Sequence, residues 1–99
     1  MGYKSKEMEF IKNLEIYDNG GKTLDRYTII DLRTGKHDIF NANKLTYEAI
    51  SASATGAGVY MHTHVIRGKH LGKKIPFLFL DGQLQSMIIN EFKNEMSHA

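Results

Sequence analysis

Hydrophobic residues recur along this chain in two rhythms. Up to Asp81 they come in short clusters separated by glycine and polar residues, as strands do; after Asp81 they recur at helical spacing. The stretch from Glu9 to Tyr17 carries Phe10, Ile11, Leu14, Ile16 and Tyr17, and its end, 13–17, predicts a strand. Asn19-Gly20-Gly21 marks a turn, because Asn and Gly adopt positive φ at low cost. Arg26 to Leu32 is rich in β-branched and aromatic residues and predicts a second strand. Thr34-Gly35-Lys36 reads as a tight turn and His37 to Asn41 as a third strand, so that the three form an antiparallel meander. Leu45 to Ser53 is expected as a short helix capped by Asn43 or Thr46. Val59 to Val65 is a strand or an ordered loop. Ile75 to Leu80 is a continuous apolar run, and Pro76 confines it to a sheet edge or to an extended lead into a helix. With Asp81 as N-cap, Leu84, Met87, Ile88, Phe92 and Met96 form one apolar stripe that should pack on the sheet. The expected fold is α+β: a small antiparallel meander packed against a C-terminal amphipathic helix, with a short second helix before it.

Composition narrows the class without naming a function. The 99 residues are enough for one domain and one core, expected to span 1–99 with flexible ends at 1–8 and 97–99. Hydrophobic residues at 41% and charged residues at 24% are ordinary for a globular chain and argue against disorder. The absence of cysteine excludes disulfides and thiolate metal sites and fits a reducing cytoplasm, the expected location. No apolar run reaches the roughly 18 residues of a membrane helix, and MGYKSKEMEF lacks the apolar core of a secretory signal, so no membrane partner is expected. A net charge of +2 is too small to indicate nucleic acid. Its distribution says more. Arg67, Lys69, His70, Lys73 and Lys74 form an acid-free basic run, which suits a compact anion better than a long polyanion.

The densest candidate chemistry lies in Asp18 to Thr28, DNGGKTLDRYT. Its GKT resembles a phosphate-binding loop, but the pattern G-x-x-x-x-G-K-[ST] puts its first glycine where this chain has Ile16, and the segment leads into a strand instead of a helix. What is left is an anion-friendly turn. Asn19, Gly20 and Gly21 can present backbone N–H groups as a nest, Lys22 adds a point charge, Thr23 a hydroxyl and Arg26 a fork suited to phosphate or carboxylate. Asp18 and Asp25 can brace Lys22 and Arg26 or accept from a base or ribose hydroxyl, and Tyr27 can stack on a base or fill the core. The same residues also make sense as a hairpin turn braced by its own salt bridge. His62 and His64 form an H-x-H pair on one face of a strand, but no nearby acid completes a metal set; His62 and His70, with Lys73, are better placed as donors to an anion. Neither a Ser-His-Asp set nor a carboxylate pair is present, so catalytic residues, metal and cofactor are all expected to be none.

Asp18–Thr28 and the later segment His70 to Ile75, HLGKKI, together resemble a family of small bacteriophage and mobile-element proteins. The hallmarks of that family are DNGGKT-x-DRYT and HLGK-[KR]-I, the second followed by a short helix. The middle of this chain, 49–64, lacks the Asn-Pro and Pro-Gln-Gly loop of those proteins. The resemblance implies a phage context in a bacterial host and no particular activity. Two functions follow as expectations. The first is a binding protein that sequesters a small phosphorylated ligand, such as a cyclic nucleotide defence signal, without cleaving it. A chain this short rarely encloses such a ligand alone, so a homo-oligomer is expected. The alternative is a protein–protein inhibitor of a host defence protein or enzyme, anti-CRISPR-like, with the motifs maintaining the fold and the middle forming the interface. A small histidine-dependent hydrolase is the lesser alternative. The two motifs are expected to meet in space.

Overall fold

The computed structural model describes residues 3–23, 25–41, 43–53 and 59–97, with the side chains of 59–63 and 94–97 outside that description. The chain runs α1 (Ser5–Lys12), β1 (Leu14–Asp18), β2 (Tyr27–His37), β3 (Leu45–Ala52), β4 (Val59–Val65), β5 (Lys73–Ile75) and α2 (Gly82–Ser97), with 3₁₀ turns at Lys69–Leu71 and Phe77–Phe79. The strands form one antiparallel five-stranded sheet in the order β4-β3-β2-β1-β5. This is an α+β fold, and its meander with a C-terminal helix is the architecture the pattern predicts.

The alternation of each strand sorts side chains onto two faces. Leu14, Ile16, Ile29, Ile50 and Ala52 face α2, where Leu84, Ile88, Ile89 and Phe92 meet them, joined by Phe10 of α1 and by Phe77 and Leu80. Met87 of the expected stripe is half-buried, and Met96 lies beyond the described side chains. Asp81, expected as the N-cap, directly precedes α2, and its carbonyl accepts from Gln85 N at 2.9 Å. The opposite face buries Tyr17, Ile30, Tyr47 and Ala49, with Leu32, Val65 and Leu71 against them. Because β4 and β5 are the two outer strands, residues 66–72 must pass from one edge of the sheet to the other. That is roughly 19 Å at ordinary strand spacing, so the segment acts as a strap with little slack. Leu71 fixes it to the face away from α2.

Four local expectations need correction. Thr34-Gly35-Lys36 is not a turn but part of β2, which runs on to His37 with a register shift between Asp31 and Lys36. His37–Asn41 is not a strand. β2 ends at His37, and 38–44 is a connection closed by Asp38 N on Lys44 O at 2.8 Å. Leu45–Ser53 is not a helix but β3, Leu45–Ala52. Its Ala and Glu residues favour helix locally, yet a strand with neighbours on both sides buries Thr46, Tyr47, Ala49, Ile50 and Ala52, and tertiary packing overrides the propensity. Finally, Ser5–Lys12 is helical, although 1–8 is expected as a flexible end and no helical spacing marks the segment. Phe10 is its one buried residue and packs on Phe92 with ring centroids 5.2 Å apart, while Lys93 reaches Glu7 at 3.1 Å. So short a helix depends on that docking rather than on its own propensity. Of the expected flexible ends, residues 1, 2, 98 and 99 lie outside the description.

Candidate functional site

The glycine turn folds around its own side chains. Asp18 Oδ1 accepts from Gly20 N at 2.8 Å and from Arg26 Nε at 2.7 Å, and Arg26 Nη2 completes the fork on Oδ2 at 3.0 Å. Asn19 Oδ1 accepts from Gly21 N at 2.8 Å and from Lys22 N at 3.1 Å, while its amide donates to Thr23 Oγ1 and to the Asp25 carbonyl. Thr23 Oγ1 also donates to the Asp25 carbonyl at 3.0 Å. Gly20 and Gly21 stand at φ 77° and 87°, so the turn needs them. The N–H groups expected to cradle an anion are thus already engaged. The Arg26 guanidinium, helped by Gly20 N–H, holds the Asp18 carboxyl below the usual range, and Asp18 in turn raises Arg26. Asp25 takes part through its carbonyl, and its exposed carboxylate has no partner among the described residues. Tyr27 packs against the core, with the Arg26 guanidinium 5.6 Å from its ring centre.

The second motif lies directly against this turn. Asp18 pairs with Lys73 and Tyr17 with Lys74 in the β1–β5 ladder. Gly72, at φ 114°, passes so close that a Cβ on it would sit 2.2 Å from the Asp18 carbonyl oxygen. The two motifs therefore meet, as expected, and each fixes the other's backbone. His70 folds its ring back over Gly68, where a Cβ would stand 3.1 Å from Nδ1. Lys22, Lys69, His70 and Lys73 are exposed and have no ion-pair partner among the described residues. His62 does not join them. It lies on β4, at the opposite edge of the sheet from β5, where its backbone pairs with Ala49 of β3, and its side chain is outside the description.

The other cations of the basic run are structural. Glu15, 4% exposed on the strap side of the sheet, accepts the fork of Arg67, Tyr17 Oη at 2.7 Å and Lys74 Nζ at 3.3 Å. Burial pushes the Glu15 carboxyl up, but hydrogen bonds from Arg67, Tyr17 and Lys74 outweigh it, so the group lies below its ordinary value. Tyr17 is raised by burial and by Glu15, and Arg67 is raised by Glu15. This cluster pins the strap through Arg67 and ties both Arg67 and Lys74 to Glu15.

A second locus carries no motif. β3 is flanked by register shifts on both sides at the same level: on β2 between Asp31 and Lys36, and on β4 opposite Tyr47–Ala49. On the β2 side, Thr34 Oγ1 replaces a backbone partner, accepting from Glu48 N at 2.8 Å and donating to Asp31 O at 2.7 Å. Arg33 forks onto buried Asp31 and lies 4.8 Å from the Phe10 ring centre. On the β4 side, His64 stands at φ 63°, the one positive φ outside glycine among the described residues. Between the shifts opens a groove of about 530 Å3 lined by Lys36, His37, Tyr47, Glu48, His64 and the tip of the β2–β3 loop. Ile39 and Phe40 stand at that tip, 90% and 91% exposed. Paired bulges commonly mark functional positions, but the sequence signal, an apolar pair between Asp38 and Asn41 plus His64 of the H-x-H pair, is too short to announce them. Among the described residues, no three His, Asp or Glu side chains converge as a metal set, and no helix is long and apolar enough to cross a membrane.

Compared with protein-family models, curated proteins and solved structures, the chain has no significant match. The class is defined by the fold alone: an α+β chain with one five-stranded antiparallel sheet and a helix across one face.

Proposed function

We propose that this is a non-catalytic binding protein that sequesters a small phosphorylated ligand, of the cyclic nucleotide class used as defence signals, in the cytoplasm of a phage-infected bacterial host. The observation that carries the reading is the junction of the two motifs. It sets Lys73 opposite Asp18, whose carboxylate it helps to stabilise, and leaves Lys22, Lys69 and His70 exposed in the segments on either side of a backbone locked by Gly72 against Asp18. Cations on a rigid base lose little freedom when they close on a phosphate. The anion would be held by these side chains and not by the glycine N–H groups, which are engaged.

The test is a thermal-shift series with cyclic di- and oligonucleotides. A ligand at a hundredfold excess over its Kd stabilises by about 2.7 kcal/mol, which for a domain of this size raises Tm by roughly 10 °C or more. Lys22→Ala with Lys73→Ala should abolish that rise while leaving the unliganded melt unchanged. Arg26→Ala should instead lower the unliganded melt, because Arg26 braces Asp18. No rise with any nucleotide would sink the proposal.

A second reading, inhibition of a host defence protein by direct contact, draws on the exposed Ile39 and Phe40 beside the groove. It requires that loop to be free in solution.

A further inference from the structure

The groove between the two bulges and the loop beside it have the properties of two halves of one contact. Ile39 and Phe40 are held outward by a hydrogen-bonded connection. Phe40 N donates to Asp38 Oδ1 at 2.7 Å, Asn41 N to the Asp38 carbonyl at 3.3 Å, and Lys44 N to the Asn41 carbonyl at 2.9 Å. An apolar pair fixed in this way is preorganised, so docking it costs little conformational entropy. The groove, about 530 Å3, is walled by Tyr47 and by Ile39 and Phe40 themselves, so a loop entering from a second copy would pack against this copy's own loop as well as against Tyr47.

The charges indicate the occupant. The lining carries Lys36, His37 and His64 together with Asp38 and Glu48. A rim of both signs can face a rotated copy of itself with unlike charges opposed, whereas a rim of one sign repels its copy. The other exposed apolar pair, Leu78 and Phe79, at 65% and 77% exposure, lacks this property. Lys74 is the one charged residue among those lining the groove beside it, and Glu15 already pairs it, so that rim offers a copy no set of unlike charges to oppose.

We infer that the groove between the bulges receives the Ile39–Phe40 loop of a second copy of this chain, giving a two-fold dimer in which each copy's loop fills the other's groove. The inference does not depend on the nucleotide reading, since it uses the opposite side of the meander from β5. Phenylalanine buries about 150–250 Å2, so the four anchoring side chains supply roughly half of a small stable interface and the charged rim the rest. The dimer is therefore expected to dissociate on dilution.

Sedimentation velocity of the full chain from roughly 5 to 500 µM, a range that brackets dissociation of such an interface, tests this. The mass should climb from the 11.3 kDa of one chain towards twice that value. Phe40→Asp and Ile39→Asp, each made singly, should weaken association by about tenfold or more. Both side chains are almost fully exposed, so the variants should melt as the parent does at the lowest concentration. A chain that stays monomeric throughout overturns the inference, as does a dimer that both variants leave intact. A monomer would also release the loop for the host-protein reading.

Discussion

The glycine turn and the bulge groove answer a sequence reader in opposite ways. The turn, Asp18 to Tyr27, is dense with residues that signal ligand chemistry, and the structure uses most of them on one another: Asp18 on Arg26 and Gly20, Asn19 on Gly21, Lys22 and Thr23. The groove has no motif, yet it is where the sheet departs from regular pairing on both sides of β3 and where apolar side chains stand in solvent. A cluster of polar residues in sequence can satisfy itself locally, because turn residues lie within reach of their own backbone. Groups left over for a partner are found by asking which ones the fold fails to satisfy. By that measure the turn contributes a brace plus Lys22, and the groove contributes a surface.

The sharpest way to break this contrast is at glycine. Gly72→Ala would place a Cβ 2.2 Å from the Asp18 carbonyl, and at φ 114°. Neither the β1–β5 ladder nor the turn can move aside without losing its hydrogen bonds. We expect a loss of about 3 kcal/mol or more, enough to unfold a marginal domain, measured by urea denaturation. Gly35→Ala, between the groove residues Thr34 and Lys36, meets the Tyr47 ring at 2.9 Å, a side chain that can tilt, and should cost about 1–2 kcal/mol. Equal losses at both positions would mean that the motif junction is no more rigid than the groove.

Much of the fold was legible for one reason and hidden for another. β1, β2 and α2 were readable because period-2 and helical spacing survive in Leu14–Tyr17, Tyr27–Leu32 and Leu84–Phe92. β3 was not, because a central strand buries both faces and shows no alternation; LTYEAISA then reads by its Ala and Glu. Thr-Gly-Lys suits a turn and the β2 bulge alike, and only the pairing of Lys36 with Thr46 tells them apart. α1 was invisible because one buried residue leaves no periodic trace. At the site, the adjacency of the two motifs was foreseeable, but the placement of His62 was not. It depends on β4 and β5 being opposite edges, which the strap decides.

The strap provides an intermediate test, since Glu15 fastens it from the sheet side. Its folded pKa lies below its ordinary 4.5. A depressed carboxylate contributes stability that is complete above the unfolded pKa and is lost as pH falls through the folded value. Stability should therefore decline below about pH 4.5, with Asp18, also depressed, adding to the loss at lower pH. Glu15→Gln should cost about 1–3 kcal/mol at pH 7, because it leaves Tyr17, Arg67 and Lys74 with a weaker acceptor, and it should flatten the acid decline measured by urea melts from pH 7 to 3. An unchanged acid profile would detach the strap from Glu15.

The smallest effect discriminates most finely, because it asks why a strained backbone position is not glycine. In the motif region every described residue with positive φ is a glycine: Gly20, Gly21, Gly68 and Gly72. In the groove the equivalent position is His64, at φ 63°. Histidine tolerates this region better than β-branched residues but at a cost of the order of 1 kcal/mol. Glycine would relieve that strain while adding freedom to the unfolded chain, worth roughly 0.5–1 kcal/mol in the opposite direction. His64→Gly should therefore change stability by less than about 1 kcal/mol, and His64→Val, which cannot adopt the angle cheaply, should lose about 1–2 kcal/mol. If His64→Gly melts like the parent and yet weakens self-association in the sedimentation series, the imidazole serves the interface and not the fold. A loss above about 2 kcal/mol would show instead that the histidine ring packs as part of the core. The groove would then be as self-satisfied as the glycine turn, and the contrast between them would collapse.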